Sequence, residues 1–353
     1  MTAVAVDFLV LLLAGACLWG TKYAWPPLRS LRADYLSGES CRGLRGLLSL
    51  GILLHHLGQK GMGLVLMPLL SKIGFLLVAV FFFLSGYGLM KQHMAKPDYR
   101  RTFPRRRLPA IILPYALATG LYWLLYWVLG TPWSGRAVLR GLVDGSPIVT
   151  ASWYVLCVLL FYLAFWCLMW LWGRRFRGVL AGAVVFMAGY VALCRWLGYG
   201  SWWYNTAPAL VLGMAWALYQ EKIDGVLSRH ISRVFPGTFL LFLGTYGGKI
   251  LLNPLLPSTM AAVSLTWPVS GLFVCCVVLG LTQVSLEGPL LRWLGDISLE
   301  TYLVQFLFLQ LLRSDAIRVE NDLAYALLVL VGTLGFAWAM HQLDRWLLRI
   351  LRK

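Results

Sequence analysis

Acidic residues are scarce in this chain. Asp and Glu together number 14 of the 353 residues, against 31 Lys and Arg, and few of the acids are clustered. A lipid-linked glycosyltransferase would need acidic metal-binding pairs that face the nucleotide, so the sequence disfavours that class. The net charge of +17 indicates basic loops that meet anionic lipid or an anionic ligand. Nucleic-acid binding is not expected, because no soluble basic domain is visible in the sequence.

Motifs for thiol, zinc and serine-nucleophile chemistry are missing. The seven cysteines include no CxxC pair, and none lies at ligand spacing from a histidine, so neither a disulfide framework nor a zinc site is expected. No G-x-S-x-G motif surrounds Ser85, which excludes a nucleophile elbow there. No metal cofactor is predicted. The cysteines lie within or beside apolar runs and are predicted to be small packing residues: Cys17, Cys41, Cys157, Cys167, Cys194, Cys275 and Cys276.

Apolar residues dominate what remains. They make up 60% of the chain, against about 45–50% in a typical soluble domain, and the mean hydropathy is +0.74. The sequence therefore predicts an all-α, polytopic integral membrane helical bundle with about eleven transmembrane helices. The stretch 61–70 is too short to span a bilayer and is predicted to be re-entrant or interfacial. The predicted spans, each near the roughly 20 residues that a bilayer needs, are 3–20, 41–59, 73–90, 109–130, 152–172, 178–197, 203–219, 235–252, 260–283, 298–312 and 322–344.

The number of basic residues alternates along the loops that connect these spans. Numbered in chain order, the odd-numbered connections and the C-terminal tail carry 23 Lys and Arg, and the even-numbered connections carry 8. Cytoplasmic loops of membrane proteins are enriched in Lys and Arg, so the odd-numbered loops are predicted to be cytoplasmic. This places the protein in the cell membrane with its N-terminus outside and its C-terminus in the cytoplasm. The run 3–20 lacks a basic region before it and is predicted to be an uncleaved span rather than a signal peptide.

Arginine and histidine side chains interrupt the apolar run 41–59. A charged residue at the centre of a span costs about 2.5–3.5 kcal/mol even on lenient scales, so these residues indicate a functional site. Arg45 and His56 are eleven residues apart, which places them on one helix face about 16 Å apart. Arg45 is expected at the cytoplasmic mouth, where a guanidinium binds phosphate by two parallel hydrogen bonds. His56 is expected near the bilayer middle, where burial favours the neutral imidazole that accepts a proton.

The histidines and arginines of this stretch each have an alternative interpretation. His55 points about 100° away from His56, so at most one of the pair is expected to face the same cavity. A histidine hydrogen-bonded to a neighbouring helix, with no further role, is the alternative for either one. The arginines have a second interpretation as topology signals and lipid anchors.

Other polar and aromatic residues are candidates for substrate contacts. Ser85 and Tyr87 could orient substrate through their hydroxyl groups, although small residues in a span often mark close helix packing. Trp153 and Tyr154 could stack on a sugar or simply pack in the core. Glu300, a turn inside a predicted span, is a candidate acceptor contact or histidine partner.

Three further polar positions are predicted to be structural. Asp296 precedes the same predicted span as Glu300 and is expected to cap its helix. Lys249, His341 and Asp344 are expected to be interfacial or structural.

Six short motifs occur in a fixed order over about 41–345, and together they resemble membrane-bound acyltransferase family 3. No one of them is specific, but the ordered set is. They are Arg45 followed by ten residues and His56, then GFLLVAVFFFLSGYGL (74–89), RRRLPAIILPY (105–115), SWYVLCVLLFYL (152–163), APALVLGMAWAL (207–218) and LGDISLETYLVQF (294–306).

The resemblance implies an integral membrane O-acyltransferase. Such enzymes move an acyl group, commonly acetyl from acetyl-CoA in the cytoplasm, onto a hydroxyl of a sugar, cell-surface glycan or lipid-linked acceptor at the outer face. Arg45 and His56 correspond to the family's essential pair. His56 would act as a general base, or it would carry the acyl group as an acyl-histidine.

The chain departs from the family pattern in three places. The basic motif near the proline has Ala110 in place of a second arginine, so donor phosphate binding would depend on Arg105, Arg106 and Arg107 together. Gln305 stands where a histidine often follows Y-L-x. The family commonly has ten spans, so 1–40 is predicted to form an extra N-terminal span and loop ahead of an acyltransferase domain at 41–353.

A second function class fits a chain with many spans and polar residues at membrane depth. A transporter or flippase of a lipid-linked or glycan substrate shares these features. Such proteins usually have two repeated halves with broken helices, and no such repeat is visible in this sequence.

Overall fold

The computed structural model describes residues 2–23, 28, 31–256 and 259–351. Helices form almost all of the regular structure, so the prediction of an all-α bundle is confirmed. A single antiparallel pair of two-residue strands, β1 (Lys22–Tyr23) and β2 (Val284–Ser285), is the exception among the described residues. The helices are α1 (Thr2–Leu18), α2 (Gly38–Gly58), α3 (Leu66–Leu70), α4 (Gly74–Ala95), α5 (Tyr99–Arg107), α6 (Pro109–Val128), α7 (Gly135–Val143), α8 (Trp153–Trp172), α9 (Phe176–Trp196), α10 (Ala209–Leu252), α11 (Thr259–Leu281), α12 (Pro289–Asp296), α13 (Ser298–Leu311) and α14 (Asp322–Leu351), with short 3₁₀ turns at Ser201–Trp203 and Asn253–Leu255.

Several helices match the dimensions of a bilayer. Among the described residues, 7 helical segments are long and apolar enough to cross a membrane, as expected of a multi-pass membrane protein. Two predicted spans form shorter helices, since α1 has 17 residues and α13 has 14. The number eleven stays a prediction. The seven segments are Gly74–Ala95, Tyr99–Val128, Trp153–Trp172, Phe176–Trp196, Ala209–Leu255, Thr259–Leu281 and Asp322–Ile350.

Helix α10 joins two predicted spans, 203–219 and 235–252, without a loop. Its two ends nevertheless contact the same half of α4. Gly213 lies against the backbone of Phe83, and the Lys249 Nζ lies 5.0 Å from the centre of the Phe75 ring. In a straight helix Gly213 and Lys249 would be about 54 Å apart, whereas Phe83 and Phe75 are only about 12 Å apart along α4. Helix α10 must therefore bend back on itself between these contacts.

Helix α2 packs backbone to backbone against α12 and the residues just before it. A Cβ added to Gly43 would collide with the carbonyl of Leu286, and one added to Gly46 would collide with the carbonyl of Leu291. Such close approach requires residues without a side chain. With these glycines against α12, the opposite face of α2 is left for the cavities described below.

Asp296 forms an ion pair instead of the expected helix cap. The Arg42 Nε donates to the Asp296 Oδ1 over 2.6 Å, and the Arg42 Nη2 donates to the other carboxylate oxygen. Helix α13 begins at Ser298, and its N-cap residue Ile297 makes no side-chain capping bond. The capping prediction was therefore wrong, because the carboxylate finds a stronger, charged partner across the α2–α12 contact.

The stretch 61–70 forms a loop and the single short helix α3, which lies beside α1. The loop is held by Asp7 of α1, whose carboxylate accepts hydrogen bonds from the backbone N–H groups of Leu64, Val65 and Met67 at 2.8–3.2 Å. These bonds satisfy donors at the start of a helix that would otherwise be unpaired. The first helix of the chain therefore fixes the conformation of this loop.

Candidate functional site

One face of α2 borders three successive cavities. Residues of that face recur every three or four positions, as expected for one side of a helix, and extend over about 32 Å from first to last. This length matches the roughly 30 Å hydrocarbon core of a bilayer. The residues are Gly38, Cys41, Arg45, Ser49, Ile52, His56 and Gln59.

The first cavity, here called the arginine cavity, has a volume of about 460 Å³. Arg45 and Arg107 both line it, together with Lys91. Among the described residues Arg45 makes no ion pair or side-chain hydrogen bond, whereas Arg42, one turn earlier, is paired with Asp296. The unpaired guanidinium of Arg45 is therefore free to bind an anion. The other lining residues are Leu36, Ser37, Gly38, Cys41, Phe81, Leu84, Ser85, Tyr87, Gly88, Leu89, Gln92 and Tyr162.

The second cavity, the middle cavity, is smaller and mostly apolar, with a volume of about 180 Å³. It shares Arg45 and Ser85 with the arginine cavity. Ser49 and Tyr154 also line it, and Tyr302 lines both this cavity and the next one. Within the described part of the chain, the lining combines apolar side chains with six hydroxyl groups, and Arg45 is its one charged residue. This suits an uncharged chain that carries some polar groups rather than a second anion. The remaining residues are Ile52, Val78, Phe81, Ile111, Val155, Val158, Tyr162, Ser298 and Leu299.

The third cavity, the histidine cavity, has a volume of about 330 Å³ and shares Ile52 and Tyr302 with the middle cavity. Both His55 and His56 line it, so the expectation that at most one of them would do so was wrong. The cavity surrounds the last turn of α2, where two adjacent residues can both reach it. The other lining residues are Gln59, Lys72, Gly74, Phe75, Val78, Trp153, Trp202 and Asn205.

His56 is held by a glutamine and an aromatic ring. Its Nδ1 lies 3.1 Å from the Gln59 Oε1, and its ring meets that of Phe306 edge-on at a centroid distance of 4.6 Å. His56 is in the last turn of α2, which ends at Gly58, and not at the middle of the helix. His56 therefore lies about 16 Å from Arg45 along the axis of α2, towards the other end of the bundle.

His55 belongs to the same hydrogen-bonded group. Its Nδ1 lies 3.0 Å from the carbonyl oxygen of Leu70, and its Nε2 lies 3.2 Å from the Gln59 Nε2. Gln59 therefore bridges the two imidazoles.

The sequence-predicted substrate residues are distributed unevenly over this arrangement. Arg107 and Tyr87 line the arginine cavity, Ser85 lies where it meets the middle cavity, Tyr154 lines the middle cavity and Trp153 lines the histidine cavity. The Tyr87 hydroxyl donates to the Gln220 Oε1 over 2.8 Å.

Three other predicted residues lie elsewhere. Arg105 and Arg106 are exposed and line none of the three cavities, so the structure does not bring the three arginines together. Glu300 is buried away from the cavities, where its Oε1 accepts a hydrogen bond of 2.7 Å from the His341 Nδ1. Glu300 is thus a histidine partner, but of His341 and not of His56.

Sequence reasoning missed Ser49, Gln59 and Tyr302. The first two carried a visible signal, since Ser49 follows Arg45 by four residues and Gln59 follows His56 by three, which continues the same helix face. Tyr302 had no such signal, because its position depends on how α13 packs against α2.

Comparison with known proteins gives a single positive result. A family model described as an acyltransferase domain, Acyl_transf_3, matches residues 40–342. No curated protein and no solved structure matches the chain. The matched region contains the whole cavity-lining face of α2 except Gly38.

Proposed function

Because this chain belongs to acyltransferase family 3 and is a multi-pass membrane acyltransferase, we propose that it is an O-acyltransferase that takes its acyl group, most simply acetyl, from acyl-CoA. The acceptor is a hydroxyl of a sugar, cell-surface glycan or lipid-linked molecule. One observation supports this above the others: a single helix face borders the cavities from Arg45 to His56. A long donor with an anionic head and a reactive end fits that order.

The donor would bind with its phosphates in the arginine cavity. Arg45 and Arg107 offer forked guanidinium groups, which bind phosphate oxygens in pairs, and Lys91 adds a third positive charge. The uncharged arm of the coenzyme would extend into the middle cavity past Ser85. In this orientation the thioester points along α2 towards His56.

The acceptor would enter the histidine cavity from the other end. Trp153 and Trp202 offer flat surfaces on which a sugar can stack, and Asn205 and Lys72 offer polar groups at the rim. A hydroxyl placed against His56 would meet a base on one side and the thioester on the other.

The reaction needs one proton acceptor and no metal. The His56 imidazole takes the hydroxyl proton as the oxygen attacks the thioester carbonyl. The C–S bond then breaks, the acyl group stays on the acceptor oxygen, and the coenzyme thiolate recovers the proton from the imidazolium. An acyl-histidine intermediate is the alternative route, in which the acyl group first bonds to an imidazole nitrogen and then passes to the acceptor.

Mass spectrometry of surface glycans and lipids tests the proposal. Cells that express the protein should carry O-acyl groups that are absent from cells without it and from cells with His56→Ala. His230→Ala is the matched control, because His230 is exposed and lines none of the three cavities. Full O-acylation in His56→Ala cells would disprove the proposed role of His56.

The two chemical routes are separated by purified protein and labelled acyl-CoA without acceptor. A general base predicts no covalent label and no burst of free coenzyme, whereas an acyl-histidine predicts both.

A further inference from the structure

Hydrogen bonds link the Leu70 carbonyl, His55, Gln59 and His56 in that order. The donor and the acceptor of each bond can be assigned by starting from the Leu70 carbonyl. The His55 Nδ1 faces the carbonyl oxygen of Leu70 at 3.0 Å. A carbonyl oxygen only accepts, so the Nδ1 must carry the proton. In a neutral imidazole the other nitrogen, Nε2, is then an acceptor.

This first assignment fixes the orientation of the glutamine. The acceptor nitrogen of His55 requires a donor, and the side-chain group 3.2 Å from it is the Gln59 Nε2. The amide oxygen of Gln59 must then point the other way, towards the His56 Nδ1 at 3.1 Å. Because an amide oxygen only accepts, the His56 Nδ1 must carry a proton. The lone pair of neutral His56 is consequently on Nε2.

The first acceptor in this chain of hydrogen bonds is the Leu70 carbonyl, in the stretch 61–70 that Asp7 of α1 holds. Leu70 is the last residue of α3, and the start of α3 is bonded to the Asp7 carboxylate through Leu64, Val65 and Met67. Asp7 precedes residue 40, where the matched family region begins. The N-terminal helix therefore contributes to the position of the carbonyl that starts the series.

We propose that Gln59 and His55 are positioning residues which fix the proton of His56 on Nδ1 and leave Nε2 as the basic nitrogen, and that Asp7 of α1 supports them by holding the Leu70 carbonyl. The proposal rests on the proposed role of His56 as a base. It adds that the identity of the basic nitrogen is set from outside the helix that carries it. It also gives α1 a part in the chemistry, in addition to any role in membrane insertion.

The direct test is nitrogen-15 NMR of the histidines in the full-length protein in lipid. The chain has only 5 histidines, and comparison with His56→Ala assigns the signal of His56. The two nitrogens of a neutral imidazole have well separated shifts, so the protonated one is identified without any activity measurement. The wild-type protein should show His56 protonated on Nδ1.

Gln59→Leu removes both hydrogen bonds while keeping a side chain of similar size. It should convert His56 to a mixture of the two neutral forms and lower kcat by about 10–100-fold, by analogy with metal-bound histidines that lose an orienting partner, with little change in the KM for acyl-CoA. Gln59→Glu should keep the Nδ1 proton, because a carboxylate also accepts. It should also move the acid limb of the pH–rate profile to higher pH, because the negative charge stabilises the protonated imidazole.

Asp7→Leu should change His56 in the same direction as Gln59→Leu but less, because the loop keeps its other contacts. Two substitutions serve as controls and should leave the His56 spectrum unchanged. Phe8→Leu alters an exposed position of α1. Gln310→Leu removes a half-buried glutamine whose side chain donates a hydrogen bond to Thr150.

The outcomes separate this proposal from the proposed function. An unchanged His56 spectrum and an unchanged pH–rate profile in both Gln59 variants would overturn the positioning role even if His56→Ala is inactive. Full activity in His56→Ala would overturn the function instead. A wild-type spectrum with the His56 proton on Nε2 would show that the donors and acceptors of these hydrogen bonds are not those assigned here, and it would also overturn the proposal.

Discussion

The imidazole of His55 lies directly on Gly74, at the first residue of α4. A Cβ added to Gly74 would be 2.5 Å from the His55 Cδ2, closer than two carbon atoms approach without covalent bonding. His55 is thus held between the start of α4 and the Leu70 carbonyl.

Gly74→Ala should therefore displace His55 and disturb His56 through Gln59. We expect kcat to fall by about tenfold or more, in line with the loss of a histidine-orienting contact, while the KM for acyl-CoA changes little. Steady-state kinetics of the purified variant would measure this. Gly120→Ala is the control, since Gly120 lines none of the three cavities and a Cβ there meets no atom within 4 Å. An equal loss in both variants would contradict the argument.

Arg45→Lys should weaken donor binding. A lysine keeps the positive charge but loses the forked geometry that binds two phosphate oxygens, so the KM for acyl-CoA should rise roughly tenfold, equivalent to about 1.4 kcal/mol. Arg107→Lys should act in the same direction. Arg177→Lys, at an exposed site away from the cavities, should not. Higher salt should also raise the wild-type KM, and insensitivity to all of these changes would favour the interpretation of the arginines as topology signals.

Ser85→Leu should obstruct the junction between the arginine cavity and the middle cavity. The added side chain occupies space that the coenzyme arm requires, so transfer and the affinity for free coenzyme A should both fall by more than about tenfold. The affinity for adenosine 3′,5′-bisphosphate, which carries phosphates but lacks the arm, should stay within a factor of about two when measured by calorimetry. Ser85→Ala removes the hydroxyl without narrowing the passage and should lose much less. If Ala and Leu reduce transfer equally, the hydroxyl matters rather than the passage.

His341→Ala should lower stability without altering substrate binding. It leaves the buried Glu300 carboxylate without the 2.7 Å hydrogen bond from His341, which costs about 1–3 kcal/mol or more for a charged group. Thermal unfolding in detergent would show a lower midpoint. A raised KM for the acceptor with unchanged stability would instead restore Glu300 as an acceptor contact.

Cysteine labelling would determine the sidedness of the bundle. In a protein without its 7 native cysteines, Lys96→Cys should be shielded from an impermeant thiol reagent in intact cells, and Thr131→Cys should react. Both positions are exposed in the structure, so accessibility depends on the membrane alone. The reverse pattern would overturn the orientation derived from the loop charges.

The sequence was sufficient for the fold class and for the pairing of Arg45 with His56 on one helix face, because both follow from local composition and helical periodicity. It was not sufficient for Glu300, whose partner His341 lies on another helix, or for Arg105 and Arg106, whose side chains turn outward from α5. Those directions depend on tertiary packing. In α10 the two predicted spans 203–219 and 235–252 already implied a reversal of the chain. The sequence did not show that this reversal is made within one continuous helix rather than in a loop.

The histidine cavity shows the same limit. On an isolated helix His55 and His56 diverge by about 100°, but the cavity surrounds the end of α2 and is lined by both rings, while His55 also contacts Gly74 and Leu70.

The close glycine contacts of α2 have one more consequence. Gly43 and Gly46 leave no room for α2 to slide or rotate against its neighbour. The spacing of about 16 Å between Arg45 and His56 is set within α2 by helix geometry. A donor that reaches from one residue to the other must therefore match a length that is unchanged when the neighbouring helices shift as rigid bodies.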